Sequence, residues 1–514
     1  MVHLQDLPPE LLHRVLSFIS DPEEDTLEKH HECDGTKDLY SLCLVSRQFR
    51  ELAQPLLFRN FDGDNTDGHV DDDHQDDIEN LVRFIRAIYQ RPALGEHVRF
   101  VSLDPIDPEP DDVYGDRDPE PFRDAIRQLK LGKEEKKWMA ELEKNNVFVY
   151  VALLLVKTPN LRALRVPHGT FLLSAIATLR ERDPSLLSNL EQIWITCDND
   201  EVFGYDIAQY HEFITLPKMK APTFEYGDLI GAKFPSITAG TLAAEELAFS
   251  HCHIDTAAIK KLFTACKRVK SFTYQTFTLD PVEDRSPSTS GTTEFNAAEA
   301  HAAVLLHKDT LEHFHLEYFR DPLAISSADA YQAYCASQPK IPSFRDFPVL
   351  ETLFIQHALL PAHPRFPPSL QRLDITDCNS SIRDMVSKIA TDVKYGDYPR
   401  LREFRVLTLE ITRPIKLAGQ RIPQGQTPEQ CFLSLQASFK GTKVEFQIFP
   451  YRMPNDEDDY DEDSDYPYEY NYESFDPQEL LGRIMMAVQD PAFAASLAGA
   501  ANGDDDDWST DDEA

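Results

Sequence analysis

The sequence predicts an α/β chain: a helical module at the N-terminus, a long solenoid of parallel strands with helices outside it, and an acidic tail. Three observations predict it. Apolar residues recur at helical spacing in Leu4–Ser20 and again in Leu39–Phe61. A short motif (apolar, two others, apolar, one other, apolar) then returns at irregular intervals through most of the 514 residues. Finally, Asn455–Ala514 holds twenty Asp and Glu against one basic residue, Arg483.

The first helix has a legible entry. Asp6 can cap it, Pro8 and Pro9 fit a first turn whose N–H groups lack partners, and Glu10 suits the positive end of the helix dipole. Leu11, Leu12, Val15, Leu16 and Ile19 follow at three- and four-residue steps. After an acidic insertion, Asp21–Asp38, the pattern resumes with Leu39, Leu42, Val45, Phe49 and Leu52 and stops near Pro55. Two or three short helices within about sixty residues are too few for a self-sufficient core. Much of their apolar surface is expected to meet something else.

The ordered set LPxELLxxVLxFI, then LxxLxLVSRxFRxLAxPLLF, resembles an F-box in the form common among fungal proteins. Leu7, Pro8, Leu11, Leu12, Val15, Leu16, Leu42, Val45, Ser46, Phe49 and Leu52 carry the resemblance. It implies docking of these residues on the Skp-type adaptor of a cullin–RING ubiquitin ligase. It also implies a chain with no catalytic residues and no cofactor of its own. The sequence departs from the family in its insertion and in Phe49 and Phe58, where the family often has tryptophan.

Beyond the module, residues 62–77 read as an acidic linker. Its aspartates miss the EF-hand register, since Thr66 and Asp67 take the fifth and sixth places and Asp73 the twelfth. Ile78–Arg91 has helical spacing, His97–Leu103 reads as a strand, Asp104–Pro121 as a loop, Phe122–Asn145 as helical, and Val147–Val156 as a buried helix. The short motif occupies Leu161–Val166, Leu190–Ile195, Ala244–Phe249, Val269–Tyr274, Leu311–Leu316, Leu350–Ile355, Leu370–Ile375 and Leu401–Val406. Val98–Leu103 reads as a first copy and Val444–Phe449 as a degenerate last one. This is the signal of a leucine-rich repeat array over 78–450, in which each strand–helix unit buries its apolar face only by stacking on its neighbours. Unrelated buried strands in an ordinary α/β domain are the alternative.

Strand alternation then assigns a concave face, on which Arg165, Trp194, His313, His315, Phe354, Arg372 and Arg405 are the candidate substrate-binding residues. A register slip of one residue would instead bury Trp194. Residues 451–514 alternate acids with tyrosines, so they should stay disordered apart from one short helix around Leu480–Val488.

Composition excludes several functions. The formal net charge is −37, which opposes nucleic-acid binding through a broad basic face. Eight cysteines without a CxxC pair argue against a zinc module and for a reducing compartment. The adjacent His30, His31 and Cys33 read as solvated, and the alternating pairs His313/His315 and His251/His253 as polar surface. No metal, no membrane span and no secretory signal is expected, which places the protein in cytoplasm, nucleus or both. No phosphate loop, HExxH or GxSxG occurs. The expected function is substrate recognition for an SCF-type ubiquitin ligase. A non-degradative leucine-rich-repeat scaffold is the alternative, and an enzyme with a loop-built site a more distant one.

Overall fold

Among the described residues three helices come first: α1 (Pro9–Ile19), α2 (Gly35–Val45) and α3 (Arg47–Leu57). The computed structural model describes residues 8–19, 35–63, 75–103, 119–197, 205–277, 295–319, 333, 335–378, 380–408 and 435–450. Leu7, the His30–Cys33 group, most of the expected acidic linker and the whole tail lie outside them. Ser46 separates α2 from α3. Its backbone is extended, and its hydroxyl accepts a hydrogen bond from the Phe49 amide at 3.2 Å, a helix N-cap. Leu16, Leu39, Cys43 and Ala53 make a small core, with Leu42, Leu52, Leu56 and Leu57 packed around it.

Among the described residues fifteen strands follow: β1 (Asn60–Asp62), β2 (Phe100–Ser102), β3 (Ala163–Pro167), β4 (Gln192–Thr196), β5 (Tyr205–Asp206), β6 (Ala221–Glu225), β7 (Gly227–Leu229), β8 (Glu246–Ser250), β9 (His253–Ile254), β10 (Ser271–Phe277), β11 (His313–Phe319), β12 (Thr352–Gln356), β13 (Arg372–Cys378), β14 (Glu403–Thr408) and β15 (Glu445–Pro450). Twelve of them form one sheet in strict chain order, every pair parallel; β5, β7 and β9 form a second small sheet. That order is what stacking of one unit on the next produces.

The same bond recurs at each step. In the large sheet the residue just before each strand from β2 to β14, and the first residue of β15, donates its N–H to a carbonyl of the preceding unit. The series runs from Arg99 on Arg59 through Arg162, Glu191, Lys220, Glu245, Lys270, Glu312, Glu351, Gln371 and Arg402 to Glu445, at 2.7–2.8 Å throughout. Large apolar residues fill the covered side of the sheet. Leu247, Phe272, Phe314, Leu353, Leu373, Phe404 and Phe446 stand in register across seven strands, and all are buried.

Helix α4 (Gln75–Gln90) and the helix Val147–Lys157 pack behind the first strands. Tyr89 donates its hydroxyl to the Leu153 carbonyl at 3.1 Å. As the apolar run predicts, Val149 to Leu155 are all buried. The charged stretch before it forms two helices, Glu120–Leu129 and Glu135–Glu143, parted where Lys130 turns left-handed at φ 53°.

Three expectations are corrected. The module does not end cleanly at residue 61, because β1 already pairs with β2. The segment read as linker gives up its last residues to α4, which begins at Gln75. His251 and His253 do not alternate on one strand: β8 stops at Ser250, and His251 takes φ 53° before β9.

Candidate functional site

Seven large hydrophobic side chains stand exposed among the described residues, and five of them belong to α1 and α2: Leu11, Val15, Tyr40, Leu44 and Val45. Leu11 and Val15 lie one helical turn apart, as do Tyr40 and Leu44, so each pair projects from one side of its helix. On the adjacent face, about 100° round each helix, Leu12 and Leu16 on α1 are 1% and 2% exposed, and Leu39 and Cys43 on α2 are buried too. Each helix is apolar on two sides and spends only one of them on its own core. An apolar surface concentrated in this way marks a site of association.

The open face of the large sheet has a different character. One row in register crosses it: Asp62, Ser102, Arg165, Trp194, Thr223, Ala248, Thr273, His315, Phe354, Asp374, Arg405 and Gln447. A second row two residues earlier carries His313, Thr352, Arg372, Glu403 and Glu445. All seven residues expected on the concave face therefore share it, and the register is not slipped. Trp194 is half-buried on the open side between Ile193 and Ile195, which are wholly buried.

The residues on this face are tied to one another. Arg165 places its guanidinium 4.6 Å from the centre of the Trp194 ring, a cation–π pair. Arg372 Nε donates to Asp374 Oδ2 at 2.8 Å, and Arg405 Nη2 donates to Glu403 Oε2 at 3.0 Å. Burial pushes the Asp374 carboxyl above its ordinary range, although Arg372 and Arg405 pull the other way. Gln356 Nε2 and Thr376 Oγ1, on buried residues beside it, have no hydrogen-bond partner among the described residues, a cost that bound water or a polar partner offsets.

Phe354 corrects an expectation. It is expected among the substrate-binding residues of the concave face, yet it is 8% exposed, with the His315 ring 4.0 Å from its own. A five-residue strand flanked by larger neighbours leaves that ring covered even on the open side. His313 is exposed, and Arg165, Trp194, His315, Arg372 and Arg405 are partly so.

No group of three or more His, Cys, Asp or Glu among the described residues is placed to hold a metal ion. Among the described residues no helix is long and apolar enough to cross a membrane.

Comparison with known families decides the nature of the helical module. Residues 4–63 match the family model described as F-box-like. The chain carries an F-box-like domain. The match ends with β1 and covers none of the sheet beyond it. No curated protein matches the chain.

Within the F-box, the residues that carry the family pattern divide by burial. Leu12, Leu16 and Phe49 are 1–3% exposed and offer almost no area to a partner. Leu42 and Leu52 pack against the small core, and Ser46 is spent on its cap. These are the residues that hold the three helices together. Pro8, Leu11 and Val15 on or before α1, and Val45 at the end of α2, remain exposed. Tyr40 and Leu44 escaped the sequence reading for a specific reason. The stripe through Leu39, Leu42 and Val45 follows one face of α2, and Tyr40 and Leu44 stand on the neighbouring face, about 100° round the helix from Leu39 and Cys43.

Proposed function

We propose that the protein is the substrate-recognition subunit of an SCF-type ubiquitin ligase. Its F-box docks on a Skp-type adaptor through Leu11, Val15, Tyr40, Leu44 and Val45, with Pro8 at the edge. The open face of an irregular leucine-rich repeat array holds a protein substrate, with Trp194 and its Arg165 partner, His313, His315, Arg372 and Arg405 as the contact set. One observation carries the reading: the exposed large hydrophobics gather on the segment that matches the F-box-like family.

F-box domains in general connect such adaptors to a variable recognition surface, and a receptor of this kind needs no catalytic group. It raises the local concentration of substrate beside the ubiquitin-conjugating enzyme and orients it there. The long polar sheet face, with an aromatic and several arginines, has the composition favoured at protein interfaces. Cytoplasm or nucleus is the compartment where this machinery operates.

Titration of the purified Skp-type adaptor onto the full chain and onto the Leu11→Asp/Val15→Asp variant tests the docking half. Binding by the first and none by the second is the expected result; equal binding refutes it. The recognition half is tested by the lifetime of a captured partner in cells. A lifetime that lengthens when Leu11 and Val15 are replaced fits a degradative receptor. An unchanged lifetime instead assigns the protein as a scaffold.

A further inference from the structure

A groove of about 610 Å³ opens where the F-box meets α4 and the first two strands. Its floor is apolar: the Phe58 and Phe84 rings stack at 5.2 Å, and Phe61 lies 4.9 Å from Phe84. Its rim is basic. Arg50 comes from α3, Arg83 from α4 and Arg91 from the residue that follows α4, against Asp62 as the acid. The chain as a whole has a net charge of −37, opposite in sign to this rim. Arg50 uses Nε to hold the Cys43 carbonyl at 3.0 Å. Arg91 is exposed and forms no side-chain bond among the described residues.

Two of the exposed docking residues, Tyr40 and Leu44, also line the groove. A partner seated on the F-box therefore reaches the groove without a break in the surface. We propose that the groove seats an acidic segment of the docked adaptor, with apolar side chains on the phenylalanine floor and carboxylates facing Arg50, Arg83 and Arg91. This rests on the adaptor reading above. It adds that α4, outside the family match, belongs to the docking surface and contributes affinity through charge. Rim charges of this kind act chiefly on the association rate and on salt dependence.

The experiment titrates the purified Skp-type adaptor onto the full-length chain and four variants at low and at high salt. Arg83→Glu/Arg91→Glu should bind about tenfold or more weakly at low salt, and Arg83→Ala/Arg91→Ala by a smaller factor in the same direction. The gap from the unaltered chain should narrow as salt screens it. Lys440→Glu/Lys443→Glu, the same change in net charge beside β15, should bind normally. Circular dichroism and melting temperature check that each variant folds.

Unchanged affinity in Arg83→Glu/Arg91→Glu, together with lost binding in Leu11→Asp/Val15→Asp, overturns the groove and leaves the F-box reading standing. Tighter binding by the charge-reversed pair would mean that an acidic segment of the same chain fills the groove, which also overturns the proposal. Normal binding by both variants removes the docking reading itself.

Discussion

The F-box and the sheet behind it solve the problem of apolar surface in opposite ways. In the F-box, four buried residues form the core cluster while five large hydrophobics remain in solvent. In the sheet, a single core runs from Phe61 to Phe446, and among the described residues Leu306 and Tyr395 are its exposed large hydrophobics. A module of three short helices cannot cover its own apolar faces. A stack of parallel units covers them repeatedly, and the face it leaves open is polar. The first region leaves large apolar side chains in solvent, whereas the second covers its own and leaves a polar face open.

The comparison breaks first if the two regions do not separate energetically. Phe314→Ala removes a wholly buried ring between Phe272 and Leu353. It should destabilise the sheet by about 3–5 kcal/mol, measured by urea unfolding, while adaptor affinity stays unchanged in the folded fraction. A matching loss of adaptor affinity would show that the two regions are one cooperative device.

Acid should act on the sheet and spare the F-box. Burial lowers the His251 and His357 pKa values to about 4, from the ordinary 6.5. Between those values the unfolded chain binds protons that the folded sheet refuses. Stability is therefore intact above pH 6.5 and declines as pH falls toward about 4, by roughly 1.4 kcal/mol per pH unit for each histidine. Asp374, raised by burial, opposes this toward the acid end. Unfolding midpoints measured between pH 7 and 4 should show the decline, and His357→Gln should flatten it; an unaltered slope in that variant contradicts the assignment.

The smallest effect belongs to the F-box. Ser46→Ala deletes the α3 cap and should cost about 1 kcal/mol, seen as faster amide exchange in α3 with the sheet's protection unchanged. Protection lost equally in both regions would mean that the F-box has no independent stability.

Much of the fold was written in local pattern. Ten of the twelve strands in the large sheet sit where the short apolar motif falls. The two that escaped it lack the motif's physical content. β1 has one apolar residue, Phe61, between Asn60 and Asp62. β6 reads Ala-Pro-Thr-Phe-Glu, with Phe224 its one large apolar residue, and is recruited by its neighbours β4 and β8 more than by its own propensity. The open face was legible because alternation has a period of two residues, which fixes the side of Trp194 once Ile193 is inside. Its exposure was not, because the covering of Phe354 depends on His315 from the adjacent strand. For the F-box-like module the family pattern marked the segment, and burial divides the residues that carry it into covered and exposed ones. Leu12, Leu16 and Phe49 are buried among the three helices, whereas Tyr40 and Leu44, which the pattern does not include, stand exposed.

The central claim is that the exposed side chains of α1 and α2 are a docking surface, separate from the residues that hold the F-box together. Truncation before Asp62 tests it poorly, since that cut divides β1 and takes Phe61 out of the sheet's core. Point variants on the intact chain are cleaner. Calorimetric titration of the Skp-type adaptor onto Leu11→Asp/Val15→Asp should show no detectable binding while the melting temperature matches that of the unaltered chain. Adaptor affinity equal to the unaltered chain's, with the fold intact, would contradict the account.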